Sequence, residues 1–527
     1  MAVSLEDRRA SGGQAVSSWI SISRIALYAG FALAVFLAVG SLTWPLSDDH
    51  LHYAYVGDTI MDGGVPYRDA WELKGPLTYY LYGWVRALLG RNEISIREFD
   101  LVAVALFCWR LRLLVLRLNG QHVFGANFSV LFFLLCYFGA GYYWAAQPDD
   151  WGAILTLVAV SFLLDRNHSP YFNVSAAAVA IALSALLKPT FVIFVSLMLL
   201  PTDRSTILAP DNLRRFFLGL LVVAFIITTS YLWVFRNGGF QDLIDALRFV
   251  LSAYGTLPER SSLPRISWGV RNLYNIGLVV PYVLVPIGLW AIYRSGQRMQ
   301  ARMLGVWFSL GIFMLWYQGM YHQYEYISAT VAAIVIFSVS VTLFRQRVKA
   351  PLGKPLTDGA LLLMIGTMCL APAISFTVFG ALAWPSYVFG LRSLENYQVK
   401  ISHPWDRRDA IVALSKYLST HTTHEDKVQI WGWAGGLGAL MLSDRKSATR
   451  FDDTWSVSTV TPLKSYYRGI FMQEISQSRP RCIIVDVSSI WLIERVRQFP
   501  EFEQFLNRNY KLSARIESFE IWTLTPS

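Results

Sequence analysis

The side chains best suited to chemistry lie in one polar stretch, residues 47–97, directly after the first long apolar run. Asp48 and Asp49 open it. His50, His52, Tyr53 and Tyr55 follow, and Asp58, Asp62, Asp69, Glu72 and Glu93 are spread through the remainder. A carboxylate at the rim of a membrane can act as a general base toward a hydroxyl or amine. Adjacent side chains point apart, so only one of Asp48 and Asp49 need be that base. The competing reading is a pair of solvated acids capping a helix start. Tyr67, Trp71, Tyr79 and Tyr80 suit a membrane–water boundary. We expect this stretch to carry the active site of a membrane enzyme.

Further candidates stand elsewhere on the same side. Residues 66–76 carry both signs of charge and two stiffening prolines. Lys74 could meet a phosphate, and Asp69 or Glu72 could orient an acceptor; a surface loop with local ion pairs explains them equally well. In Gln147-Pro148-Asp149-Asp150, helix capping accounts for one acid and leaves the second open. Lys188 either snorkels or binds an anionic head group. His322, flanked by Tyr321, Tyr324 and Tyr326, fits an aromatic belt or a donor to a phosphoryl oxygen. Arg97, Arg265 and Arg271 add outer cations whose fork suits phosphate.

The elements that must hold these residues are apolar. Of 527 residues, 54% are hydrophobic and 16% charged, and mean hydropathy is +0.39. A soluble chain carries roughly 25% charged residues. The apolar residues fall in runs of spanning length, so the fold class is a polytopic α-helical membrane protein. The formal charge of +10 comes with Arg residues in short loops between those runs. That pattern sets orientation in a membrane and does not call for nucleic acid. Cys108, Cys136, Cys369 and Cys482 have no metal-ligand spacing, so neither a disulfide framework nor a zinc site is expected.

About eleven spans are expected, near 22–43, 99–118, 123–145, 150–165, 171–187, 189–202, 215–235, 272–293, 303–319, 325–344 and 358–380. Residues 1–21 are then a cytoplasmic N-terminus, 22–383 the membrane domain, and 44–98 its first outer loop. With the N-terminus inside, every inner loop is basic. One span fewer would put the later Arg-rich loops outside, which favours a hairpin at Lys188-Pro189. From 384 to 527 the composition turns charged and mixed, as in a small α/β domain on the outer side. Helices are expected at 407–419 and 502–509, and strands at 427–431, 482–487 and 516–524. There is no P-loop and no GxGxxG; the glycines of 432–438 read as a turn or close packing.

The run Asp49…Tyr53…Gly57…Ile60…Asp62-Gly63-Gly64-Val65-Pro66-Tyr67-Arg68-Asp69…Trp71…Lys74-Gly75-Pro76-Leu77…Tyr80 resembles the first periplasmic loop of the GT-C glycosyltransferases. It is similar in particular to bacterial relatives of the protein mannosyltransferases and of the lipid A aminoarabinose transferase. Two departures are visible. His50 stands where those enzymes carry Glu after Asp, and Gly75-Pro76 stands where Pro-Pro follows the lysine.

The resemblance implies an inverting transfer of a sugar from a polyprenyl phosphate to a cell-envelope glycan, lipid or protein on the periplasmic side. The setting is a bacterial inner membrane, with lipopolysaccharide among the possible acceptors and with 384–527 as a periplasmic domain. Asp49 would be the base. Asp48, His50, Asp69, Glu72, Asp149 and Asp150 would support acid or acceptor. Lys74, Arg97, Lys188, His322 and Tyr324 would meet the lipid phosphate. A divalent metal is left open, with Asp48 or Asp149 to assist one; the sequence supplies no ligand set. The alternative is a lipid-linked glycan polymerase, ligase or flippase-like transporter. A transporter would place its ions near the bilayer midplane, in repeated halves. Here the polar clusters gather at one face and no clear repeat is seen.

Overall fold

A computed structural model describes residues 25, 27–200, 207–255, 262–347, 366, 371–402, 406–432, 435–488 and 494–526. The expected cytoplasmic segment 1–21, Cys369 and most of the 358–380 run lie outside the described residues. Two compact units divide the chain. One comprises 1–42, 97–227 and 260–384, the other 43–96, 228–259 and 385–527.

The first unit is helical. Its centre is Ile327–Arg347, whose Val331, Ile334, Val335 and Val339 are fully buried. The helix also turns hydroxyls inward: Ser340 and Thr342 donate to the carbonyls of Phe337 and Ser338. Such bonding lets a polar residue sit in an apolar bundle without an unsatisfied group. Pro148–Leu163 and Pro170–Leu187 pack against each other, with Ser184 Oγ donating to the Gly152 carbonyl at 3.0 Å.

Among the described residues, four helices are long and apolar enough to cross a membrane: Pro170–Leu187, Pro210–Arg236, Arg298–Gln318 and Gln323–Phe344. Two bent pairs raise the count to six. Among the described residues the expected eleven is therefore not reached; Glu93–Leu118 is long enough but too charged, and helix geometry gives the reason for the others. Val123–Gly139 and Pro148–Leu163 have 17 and 16 residues, or about 25 Å of rise against a hydrocarbon core of about 30 Å. The run after Lys188 forms an 11-residue 3-10 helix, Pro189–Leu199. Lys188 itself is extended, as a residue before proline tends to be. The expected 272–293 span is two helices, Leu263–Asn275 and Val279–Arg294, meeting at 91°.

The second unit contains a five-stranded sheet in the order β2-β1-β3-β5-β4: β1 Lys427–Trp431, β2 Lys446–Ser447, β3 Cys482–Asp486, β4 Tyr510–Ile516 and β5 Phe519–Leu524. The first three run parallel; β5 is antiparallel to β3 and to β4. Four of the five β1 residues and four of the five β3 residues are buried, as expected of central parallel strands covered on both faces. Trp431 at the end of β1 stacks on Phe502 at 4.8 Å. The glycines after β1 serve close packing: a Cβ on Gly436 would come within 2.6 Å of Ile430.

Candidate active site

In the second unit the first loop folds as two helices, Asp48–Met61 and Pro76–Leu89. They touch backbone to backbone where Gly57 meets Gly83; a Cβ on Gly57 would lie 2.6 Å from the Gly83 nitrogen. Tyr53 and Tyr82 close the same seam edge to face at 5.5 Å. Buried Arg86 then holds Asp58 with two bonds, 3.0 and 2.7 Å.

Asp48 and Asp49 form the first turn of this helix pair, where the helix dipole favours carboxylates. Asp48 is buried and Asp49 half-buried. The Asp49 N–H donates to Asp48 Oδ1 at 2.9 Å. His50 Nδ1 accepts from the Ser47 N–H at 3.2 Å and lies 2.9 Å from Ser47 Oγ, closing the cap one residue upstream. His50 thus holds the turn that presents Asp49.

The C-terminal segment of the same unit braces this turn. Arg408 donates to both oxygens of Glu93 at 2.9 and 2.6 Å, and Glu93 Oε1 also accepts the Leu46 N–H. Gln398 accepts from Arg408 and donates to the Thr43 carbonyl. One turn beyond Asp49, His52 has Nδ1 3.2 Å from Asp452 and Nε2 2.9 Å from Asp453. Burial pushes the Asp452 carboxyl up, against the pull of His52. Burial, then the charge of Asp48, push Asp406 up to about 8.

The remaining loop candidates are engaged locally. Glu72 accepts from Tyr79 Oη at 2.6 Å and from the Lys74 N–H at 2.7 Å. Lys74 places its ammonium 5.7 Å from the Tyr53 ring centroid, and its carbonyl accepts from Tyr67 Oη. Exposed Asp69 is gripped by Arg68 at 2.9 and 2.7 Å and accepts the Val65 N–H. Trp71 is buried against Tyr467, Phe451 and Phe249.

A second cluster belongs to the helical unit. Asp149, fully buried at the start of Pro148–Leu163, receives Lys188 Nζ at 2.8 and 3.0 Å. Gln318 accepts from the same ammonium. Lys188 also lies 5.7 Å from the Tyr324 ring, beside a stack of Trp144, His322 and Tyr324. Asp150 turns back to cap its own helix through the Gln147 N–H. Arg97 is buried and donates to the carbonyls of Ala145 and Tyr142.

Comparison with known proteins was decided by structure. No family model and no curated protein matches the chain. Among solved structures, it is similar to ArnT from Cupriavidus metallidurans bound to undecaprenyl phosphate. The TM-score is 0.59 at 15% identity, over 97% of this chain and 100% of that one. It is also similar to the oligosaccharyltransferase of Archaeoglobus fulgidus tethered with an acceptor peptide: TM-score 0.51, 12% identity, 95% of this chain and 74% of that one. The archaeal enzyme in complex with an inhibitory peptide and a dolichol-phosphate gives a TM-score of 0.50 at 11% identity, over 94% and 74% of the chains. The fold is of the GT-C type.

Among the described residues no group of three or more His, Cys, Asp or Glu is arranged to hold a metal ion. Asp149 gives both oxygens to Lys188. Sequence reasoning missed Arg408, Asp452 and Asp453, which bond the loop, and Asp406, which feels the charge of Asp48; all lie more than 300 positions away. No local signal links them to it. Gln318 was missed too; it ends an apolar helix, where a lone amide carries no pattern.

Proposed function

We propose that this chain is an inverting glycosyltransferase of a bacterial inner membrane, using a polyprenyl-phosphate sugar and a cell-envelope acceptor. The observation that carries the reading is the fold shared along the whole length of a protein whose structure holds undecaprenyl phosphate. Asp49 is the proposed general base. It is half-buried at a helix start whose cap is closed by His50, and its own N–H bonds Asp48. Its carboxylate takes the acceptor proton, the acceptor oxygen bonds to the sugar C1, and the bond from C1 to the phosphate oxygen breaks. Polyprenyl phosphate leaves with the electron pair. Fixed cations near that oxygen stabilise the growing charge.

Lys74 is the loop's proposed partner for the phosphate. In the helical unit Lys188, His322, Tyr324 and Arg97 are proposed for the lipid. Lys188 already shares its charge with Asp149, so we assign it orientation of a phosphate more than net attraction. Asp48, His50, Asp69 and Glu72 are proposed to support the loop, and Asp149 and Asp150 the helix start beside Lys188. The N-terminus is proposed to be cytoplasmic, with 384–527 periplasmic.

The test is to incubate purified chain in nanodiscs with a set of polyprenyl-phosphate sugars and an envelope extract, reading products by mass spectrometry. Transfer of one sugar, with release of polyprenyl phosphate, is the expected result. No release from any donor, with wild type and Asp49→Asn alike, would overturn it.

A further inference from the structure

The Leu263–Asn275 helix meets the apolar Val279–Arg294 helix at 91°. Its packed face is specific. Gly269 and Asn272 are buried, the Gly269 carbonyl accepts from Tyr326 Oη at 2.7 Å, and Asn272 Nδ2 donates to the Tyr321 carbonyl at 2.8 Å. The opposite face is bare and apolar. Leu263, Ile266, Val270 and Tyr274 are 82%, 44%, 56% and 61% exposed. Their spacing of three and four residues makes one stripe along a helix.

The stripe continues around the corner. On Val279–Arg294 the exposed large apolar residues are Val280, Val283, Ile287, Trp290 and Tyr293, again three and four apart. Where Val279–Arg294 runs near the bilayer normal, as hydrocarbon-facing helices do with a tilt of about 20°, its partner at 91° runs near the membrane plane. The shorter helix carries Arg265 and Arg271 and no acidic residue. Arg271 is exposed beside the stripe. Apolar face, flanking cation and in-plane axis are the features of a helix that lies in the interface, and cations there favour anionic lipid.

We propose that Leu263–Asn275 is an interfacial helix docked on phospholipid. Leu263, Ile266, Val270 and Tyr274 sit among the upper acyl chains, and Arg271 meets anionic head groups. Because the other face bonds Tyr321 and Tyr326, lipid contact also fixes the turn that carries His322 and Tyr324.

A photo-crosslinking amino acid placed singly at Val270, Tyr274, Trp290 and Lys511 tests this in full-length chain reconstituted in mixed anionic and zwitterionic nanodiscs. Lys511 is exposed on the sheet of the other unit and serves as the aqueous reference. Mass spectrometry should find lipid adducts at 270, 274 and 290 and none at 511. Arg271→Glu should lower the anionic share of the adducts at 270 several-fold. Lipid adducts at 290 but none at 270 or 274 would overturn the proposal. So would crosslinks from 270 or 274 to a second copy or to another protein in the membrane.

Discussion

Arg408 donates to both oxygens of Glu93, and the same carboxylate receives the backbone N–H of Leu46. Both side chains are largely buried, at 6% and 14% exposure. Removing one partner of such a pair leaves a buried charge uncompensated, at a cost of about 3–5 kcal/mol. Arg408→Leu should therefore lower the melting temperature by many degrees. Arg408→Leu combined with Glu93→Leu should recover much of that loss. Thermal denaturation followed by size-exclusion of detergent-solubilised protein reads both, and equal loss in single and double variants would contradict the pairing.

Asp49→Asn keeps the size of the side chain and removes only its basicity. Transfer should fall by roughly 10²–10⁴-fold, the usual contribution of a general base. The Asp49 N–H that bonds Asp48 is kept in this variant, and a melting curve of the same protein separates lost basicity from lost fold. Near-normal turnover would remove Asp49 from the reaction.

Asp406 gives a pH signature. An ordinary aspartate titrates near 3.9, whereas burial and the Asp48 charge raise this one to about 8. Between those values the folded chain holds a proton that the unfolded chain has released. Stability is thus highest below the ordinary value, declines as pH rises through the window, and levels off above about 8. Asp406→Asn removes that slope. The variant should gain on wild type steadily from pH 5 to 8 in melting experiments. A constant difference across that range would refute the assignment.

Lys188 and Asp149 should behave as one object. Lys188→Met alone strands a fully buried carboxylate and should destabilise by about 3–5 kcal/mol. Lys188→Met with Asp149→Asn should fold nearly as well as wild type. If Lys188 also orients the donor, that double variant will fold yet require more donor for half-maximal rate. Unchanged donor dependence would confine Lys188 to a structural role.

The helix crossing at Gly57 and Gly83 tolerates no side chain. Gly57→Val should cost about 1–3 kcal/mol or more through overpacking, since its first carbon already falls 2.6 Å from a backbone nitrogen. A melting curve like that of wild type would show that the two helices do not cross as closely as described.

How much of this was legible in the sequence depended on range. Strands β1 and β3 fell where short apolar runs placed them, and the helix expected at 407–419 is Arg408–His421. These elements need only local periodicity. Local periodicity gives the last strand as one piece from 516, but the chain forms the β4–β5 hairpin around Glu517 and Ser518. Glu517 takes a positive φ of 51° with no glycine or asparagine to announce the turn. The helix Lys464–Ser478 was missed, although Tyr467, Phe471 and Ile475 recur every four residues on its buried side. Apolar runs were visible in the membrane unit, but composition does not fix their length or bend. The 3-10 segment after Lys188 and the corner at 276–278 were therefore unreadable. The position of Asp49 was legible from its own loop. The residues that hold it were not, because each lies in a segment that only folding brings near.

Strand β2 is two residues long and stands at the margin of the sheet. The outward N–H of Ser447 donates to Tyr55 Oη, and neighbouring Lys446 reaches Asp62. A margin sealed in this way offers no template for a strand from another molecule. Excising residues 385–527 as an independent fragment would strip Tyr55 and Asp62 away and open that template. The fragment should then self-associate, whereas the intact chain carries its own plug.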